Sequence, residues 1–354
     1  MKKIILILFV AFCLSFCKTN NPKTTAFENP VFKTIQIDTL FQDKISIRAL
    51  VLDKNKVWYG ANNSKFGFYD LEKKTRFESH IIEDSSKLEF RSIAKTEKHI
   101  YILSVGNPAF LYQISKDGQK TKLVYKENHE KVFYDSMQFW NNSEGIAIGD
   151  PISDCFSILI TRDGGKTWNK ISSDNLPKNE DGEAAFAASN TNIVVKDNNT
   201  WVVSGGAKAR VFSSRDKGKS WSVYNSPISQ GKKMTGIFTA DFYDANNGFI
   251  TGGDYEIPSQ NFGNKALTKD GGKTWKLISE NLGFGFASCV QYFPNSNGNA
   301  LITVGATGIW CSWNKGESWI QFASDPSLFT IRFFYFYTAI AAGSNKIIRI
   351  NFKK

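Results

Sequence analysis

Beyond residue 30 the chain is a succession of short apolar or alternating runs, cut at intervals by Gly, Asn, Asp and Ser. Runs of this kind predict β-strands, because a half-buried strand alternates with period two and stops at turn-forming residues. One set is Ile47–Leu52, Lys56–Gly60 and Phe66–Tyr69; another is Ser136–Trp140, Gly145–Gly149 and Phe156–Ile160. Each set is three strands long and leads into a polar, glycine-containing turn.

That turn repeats. Thr161–Trp168, Ser214–Trp221, Thr268–Trp275 and Ser312–Trp319 all read S/T-x-D/N-x-G-x-S/T-W, with a weaker copy at Ser115–Thr121 and a fainter one from Tyr69-Asp70 to Thr75. The positions Asp117, Asp163, Asp216, Asp270 and Asn314 recur about every 44 to 54 residues, the length of a four-stranded propeller blade. The chemistry of the motif is local. An Asp or Asn oxygen accepts from backbone N–H groups of a tight turn, the glycine supplies a positive φ, and Trp168, Trp221, Trp275 and Trp319 open the outgoing strand. The motif is therefore read as a folding element, a hairpin between third and fourth strands. Six copies give six blades. Phe329–Phe336, Thr338–Ala342 and Lys346–Phe352 add three strands that lack a fourth, and the run Val31–Ile37 supplies it. The expected fold is an all-β, seven-bladed β-propeller over residues 31–354 with four-stranded blades, the last closed by an N-terminal strand; six and eight blades are the alternatives.

Composition changes this picture little. Of 354 residues, 42% are hydrophobic and 14% aromatic, enough for one large core, and no Pro-rich or like-charge linker divides the chain. The first residues differ. Lys2 and Lys3 precede an apolar run, Ile4–Phe16, too short for a finished membrane span. It ends at Cys17, followed by Lys18-Thr19-Asn20-Asn21-Pro22. This resembles a bacterial lipoprotein signal, with Phe16 where a small residue is usual. The resemblance implies a signal peptide at 1–16, a lipid on Cys17, a tether at 17–30, and an exported protein anchored in the cell envelope. Cys155, Cys289 and Cys311 then remain, at most one disulfide, and are read as small buried apolar residues. The formal charge of +11 would fall to +9 with Lys2 and Lys3 removed, a balance open to acidic glycans or anionic headgroups and equally to a plain lysine-solvated surface. Without basic–aromatic runs, nucleic acid is not an expected partner.

The repeats resemble the Asp-box (bacterial neuraminidase) repeats of sialidases, sortilin-type propellers and photosystem II assembly and stability factors. The mature chain is most similar to a bacterial offshoot of the assembly-factor group, through Phe90-Arg91-Ser92, Gly149-Asp150-Pro151, Gly182–Ser189, Gly205-Gly206-Ala207, Ala209-Arg210-Val211 and Gly252–Tyr255. Such proteins carry labels as different as assembly factor, glycosyl hydrolase and oxidoreductase, so the resemblance implies the fold more than an activity.

Blade topology says where a site belongs. Inner-strand starts and second-to-third-strand loops share one face; the boxes lie on the other. Inner strands are expected to begin near Arg48, Arg91, Asp135 and Glu183, and the loops carry Asp150, Asp154, Lys208, Arg210, Asp254 and Tyr255, with Gly252–Asn264 long enough to fold over the mouth. Arg48, Arg91, Asp150, Glu183, Arg210, Asp254 and Tyr255 are thus the candidate ligand-binding residues. Arginine forks suit carboxylates, and Glu183, Tyr255 and Asp135 would be the catalytic set of a glycoside hydrolase. The bland alternative is that these charges cap strand ends and line a wet channel. Phosphate-loop, dinucleotide, zinc and EF-hand patterns all fail, so no cofactor or metal is expected. The leading reading is a monomeric, non-enzymatic envelope scaffold that binds a protein partner or an acidic glycan or carboxylate ligand. The alternative is a sialidase-type hydrolase acting on acidic glycans.

Overall fold

A computed structural model describes residues 32–83 and 87–354. The signal at 1–16, Cys17 and the tether at 17–30 lie outside the described residues.

The strands stand around a central axis, and apolar clusters fill the wedges between neighbouring sheets. Ala49, Trp58 and Phe66 pack on Phe90, Ile93 and Ile102; Ala94, Tyr101 and Leu103 on Tyr134, Met137 and Leu159. The ring returns to its start, where Ile45, Leu50 and Val57 meet Ile340, Ala342 and Ile347. A sheet that buries both faces in this way needs apolar residues in succession as well as in alternation, as in Phe156–Thr161, buried throughout. Cys155, Cys289 and Cys311 are all buried and all free.

Hydrogen bonding corrects the expected count. The described strands form six sheets, four of four strands and two of six, rather than seven separate four-stranded blades. One cause is the unbroken strand Thr34–Asp53. Its first half pairs with Thr338–Lys353, from Thr34 opposite Lys353 to Ser46 opposite Ser344, and its second half with Lys56–Ala61. No turn intervenes, so a closing strand and the next inner strand fuse two units into one sheet. The other six-stranded sheet arises because Gly205–Gly206 bridges Glu183–Ala184 to Thr235–Phe242.

The repeated hairpins share one bonding pattern. In Ser214–Trp221 the Ser214 hydroxyl donates to Asp216 Oδ1 at 2.8 Å and accepts from Gly218 N at 2.8 Å. Ser220 closes the turn, its N donating to Oδ1 at 2.9 Å and its hydroxyl to Oδ2 at 2.6 Å. Where asparagine replaces aspartate the last bond reverses, Asn314 Nδ2 donating to Ser318 Oγ at 2.9 Å. The glycine is required: Gly165 has φ +78°, and a Cβ there would meet the Tyr101 ring at 2.5 Å. Burial opposes the charge on Asp216 and on Asp270, but the bonds from Ser220 and from Thr274 outweigh it, and both fall to about 2. Their stabilisation is therefore fully present above about pH 4 and lost as pH falls towards 2. Asp216→Ala should cost about 1–3 kcal/mol at pH 7 and have little effect at pH 2. Urea unfolding at both pH values checks this, and an equal loss at both would refute it.

Candidate functional site

Loops joining second to third strands, and fourth strands to the next inner strand, share the face opposite the boxes. One of them departs from expectation. Glu183 does not begin an inner strand: Glu183–Ala184 is a two-residue strand paired with Gly205–Gly206, and the inner strand is Ile193–Lys196. The residues between cross the central channel and fill it. Arg48 Nη1 donates to Ala188 O at 3.2 Å, Arg332 Nη2 to Ser189 O at 3.0 Å, Ser189 Oγ to Ser288 O at 2.5 Å, and Asn190 Nδ2 to Ile93 O at 2.8 Å. Met137 N donates to Asn190 Oδ1, and Thr191 Oγ1 meets Thr239 Oγ1 at 2.7 Å. Small residues allow this close approach, and the segment ties inner strands on every side to one another.

Each of those inner strands carries a β-bulge near its start. The register skips Arg48, Arg91, Asp135, Phe238, Ser288 and Phe329. A bulge re-aims the extra side chain, and here it delivers several of them to the channel mouth. The Arg48 guanidinium stacks on the Phe329 ring at 4.0 Å. Arg48, Ser288 and Phe329 line a cavity of about 240 Å³ with Tyr255, Pro258 and Phe286. Tyr255 stands over its rim, 47% exposed, edge-on to Phe286 at 5.2 Å. Burial, then the like charge of Arg91, pulls the Arg48 pKa below its ordinary value, while Tyr255 and Glu89 oppose the shift. Two arginines thus repel at the mouth; Arg91 Nε bonds Glu89 at 2.7 Å, and no carboxylate pairs with Arg48 among the described residues.

Beneath them lie two carboxylates. Asp135 is 0% exposed, and neither of its oxygens has a hydrogen-bond partner among the described residues. Burial, with the neighbouring Asp150, pushes it well above the usual carboxylate range, against the pull of Arg91. Asp150 is raised to about 6, again by burial, although Ala185 N donates to it at 2.8 Å.

The remaining predicted residues are elsewhere. Glu183 is locked to Arg210, which donates from Nε at 3.1 Å and from Nη2 at 2.5 Å. Ser204 Oγ and Glu180 N fill its other acceptor positions, at 2.5 Å and 2.9 Å. Asp254 pairs with Lys232 at 3.1 Å and caps its own loop through Glu256 N. Asp150, Glu183 and Lys232 border a second, open cavity of about 730 Å³. So Arg48, Arg91 and Tyr255 come together, with Asp135 and Asp150 below. Arg210 and Glu183 form a separate pair, and nothing hydrogen-bonds Tyr255 to Glu183 among the described residues. Phe238, Phe286, Ser288 and Phe329 escaped the reading of the sequence because it searched for charge. Also missed was a cavity of about 380 Å³ at the box-side mouth, walled by Gln138, Asp241, Gln291 and Arg332 among others.

No family model matches the chain, and no curated protein matches it. Solved structures do. One described as YCF48 bound to D1 peptide is 16% identical with a TM-score of 0.64, over 92% of this chain and 98% of that one. YCF48 from Cyanidioschyzon merolae is 10% identical with a TM-score of 0.61, over 91% and 99%. The WD40 β-propeller domain of Doa1 is 11% identical with a TM-score of 0.63, over 91% and 98%. At these identities the likeness carries the fold and nothing finer: the chain is an all-β propeller.

Proposed function

We propose that this propeller is a non-enzymatic scaffold of the cell envelope, held by lipid on Cys17, that binds a protein partner through the mouth opposite its boxes. The observation that carries the reading is the Arg48–Arg91 pair beside an aromatic cavity. Two guanidinium groups held together with too little negative charge favour a partner that brings a carboxylate. The cavity walls, Tyr255, Phe286 and Phe329, suit an apolar side chain next to it. An acidic, partly apolar segment of a partner protein meets both demands. That a similar propeller is described as bound to a peptide supports the same reading.

Catalysis of the sialidase type is disfavoured by the geometry, since Glu183 has no free oxygen to serve as acid or nucleophile. Capture from solubilised envelopes should recover a partner with the wild-type chain and lose it with Arg48→Ala/Arg91→Ala. Identical recovery by both chains would sink the mouth as the binding surface. Turnover of an aryl sialoside that disappears in Tyr255→Phe would sink the non-enzymatic reading.

A further inference from the structure

The described chain enters the propeller at the box face. Phe32 packs on Trp313 at 5.5 Å, on Phe336 at 5.8 Å and on Phe352 at 5.6 Å. Trp313 belongs to the box Ser312–Trp319, and Phe336 sits in the turn between Leu328–Tyr335 and Thr338–Lys353. Phe32, the first described residue, therefore lies on the side opposite the Arg48 mouth.

Charge on this face is sorted by the boxes themselves. Each of Ser115–Thr121, Thr161–Trp168, Ser214–Trp221 and Thr268–Trp275 holds more Lys and Arg than Asp and Glu. The carboxylates are turned inwards: Asp163, Asp216 and Asp270 spend their oxygens on the hydroxyls and N–H groups of their own turns. The lysine just before the closing Ser or Thr is left outside. Lys120, Lys166, Lys219 and Lys273 occupy this place, with Lys74 at the matching place in the first hairpin, and all are exposed. Their neighbours Lys116 and Lys217 are paired with Asp53 and Glu144; these five have no carboxylate partner among the described residues. They form an arc of outward ammonium groups over five hairpins; the box Ser312–Trp319 has Glu317 in this place. On the same face Tyr335 and Tyr337 are 56% and 57% exposed, beside the Phe336 that packs on Phe32.

We propose that the box face docks on an anionic lipid bilayer, the lysine arc on headgroup phosphates and the two tyrosines at interfacial depth, so that the Arg48 mouth points away from the membrane. Clustered lysines are drawn to anionic leaflets, and tyrosine favours the headgroup level. The tether of the proposed function would reinforce this arrangement, because the chain between Cys17 and Val31 reaches at most roughly 50 Å and leaves from the face that would touch the surface. The docking itself rests on charge and on where the chain enters.

The test uses the full chain extracted from membranes and reconstituted into vesicles of phosphatidylcholine alone or with phosphatidylglycerol. Gln119→Cys reports the box face and Ser153→Cys the opposite face; both positions are exposed, and Cys155, Cys289 and Cys311 are buried. With a water-soluble maleimide, Gln119→Cys should label at least about threefold more slowly on anionic vesicles, while Ser153→Cys labels equally on both. High salt should remove the difference, as should Lys120→Glu, Lys166→Glu, Lys219→Glu and Lys273→Glu combined. Equal labelling of Gln119→Cys on the two vesicles overturns the proposal, as does slowing that ignores both salt and charge reversal. Protection by a soluble polyanion and none by anionic vesicles would assign the face to another acidic partner and overturn it too. A chain that leaves neutral vesicles yet stays on anionic ones would remove the Cys17 anchor and keep the docking.

Discussion

Replacing Glu183 with alanine should cost the fold about 3–5 kcal/mol, because it strands a guanidinium inside the protein. The Glu183 side chain is 0% exposed and that of Arg210 11%. Water entering from the neighbouring cavity replaces the lost carboxylate poorly, so among protein groups Arg210 keeps only Lys178 O, at 2.8 Å, and the more distant Glu180 as partners. The loss would spread. Glu183 also takes the Ser204 hydroxyl and Glu180 N, and it stands two residues ahead of the Ala185 N that bonds Asp150, where the chain turns into the channel. Urea unfolding of Glu183→Ala and of Glu183→Met/Arg210→Met separates the causes. The double variant, which leaves no unpaired charge, should recover a large part of the loss. A cost within about 1 kcal/mol for the single variant would mean that the pair is dispensable. The same result would reopen a chemical role for Glu183, since a residue retained for catalysis is removed at little expense to the fold.

Much of this architecture is legible in the sequence, and what escaped did so for identifiable reasons. The box hairpins are local devices, with the bonds among the Asp or Asn, the two hydroxyls and the glycine N–H all inside eight residues, so their composition announces them. The assignment of faces follows from blade topology, and Arg48 and Tyr255 border one cavity. Sheet number was misjudged because joining is decided by the absence of a turn at Gln42–Ser46, where nothing in the residues signals continuity. Glu183 was misplaced for a related reason. An inner strand is expected to begin near Glu183, yet the small side chains that follow suit the segment to cross the channel, a contact with partners about 50 to 140 residues away that no local pattern records.

The bulge positions could have been found. Ile47-Arg48-Ala49-Leu50, Phe90-Arg91-Ser92-Ile93, Tyr134-Asp135-Ser136-Met137, Ile237-Phe238-Thr239-Ala240, Ala287-Ser288-Cys289-Val290 and Leu328-Phe329-Thr330-Ile331 share one pattern, an apolar residue, a variable one, a small one and an apolar one. The variable residue is the one the register skips. Reading that position down the repeats yields Arg, Arg, Asp, Phe, Ser and Phe: half the ring charged, half apolar or small. A surface with both characters suits a peptide better than a sugar, which is why the binding reading gains on the hydrolytic one.

Asp135 supplies the second large effect, with the opposite sign: Asp135→Asn should stabilise the protein at pH 8 by about 1–3 kcal/mol. An ionised carboxylate that is fully buried without a hydrogen bond opposes folding. Asp135 and Asp150 are both held above their unfolded values, the second at about 6. A carboxyl raised in this way contributes stability that is complete below about pH 4 and is lost as pH climbs through the folded pKa. The Asp150 share should go between pH 4 and 6, and the Asp135 share should continue to fall above that, tempered by Arg91. The wild type is therefore expected to resist urea better at pH 5 than at pH 8, and Asp135→Asn to remove most of the difference. Equal midpoints for the wild type at both pH values, with no gain in the variant at pH 8, would refute the argument. A destabilising group kept at a channel mouth calls for a use, and the neighbouring Arg91 offers one. As it ionises, the carboxyl below it is drawn to Arg91 and steadies a guanidinium that Arg48 repels. If so, Asp135→Asn gains stability and weakens capture of the partner in the same protein, whereas a residue that merely spoils the core would raise stability and leave capture unchanged.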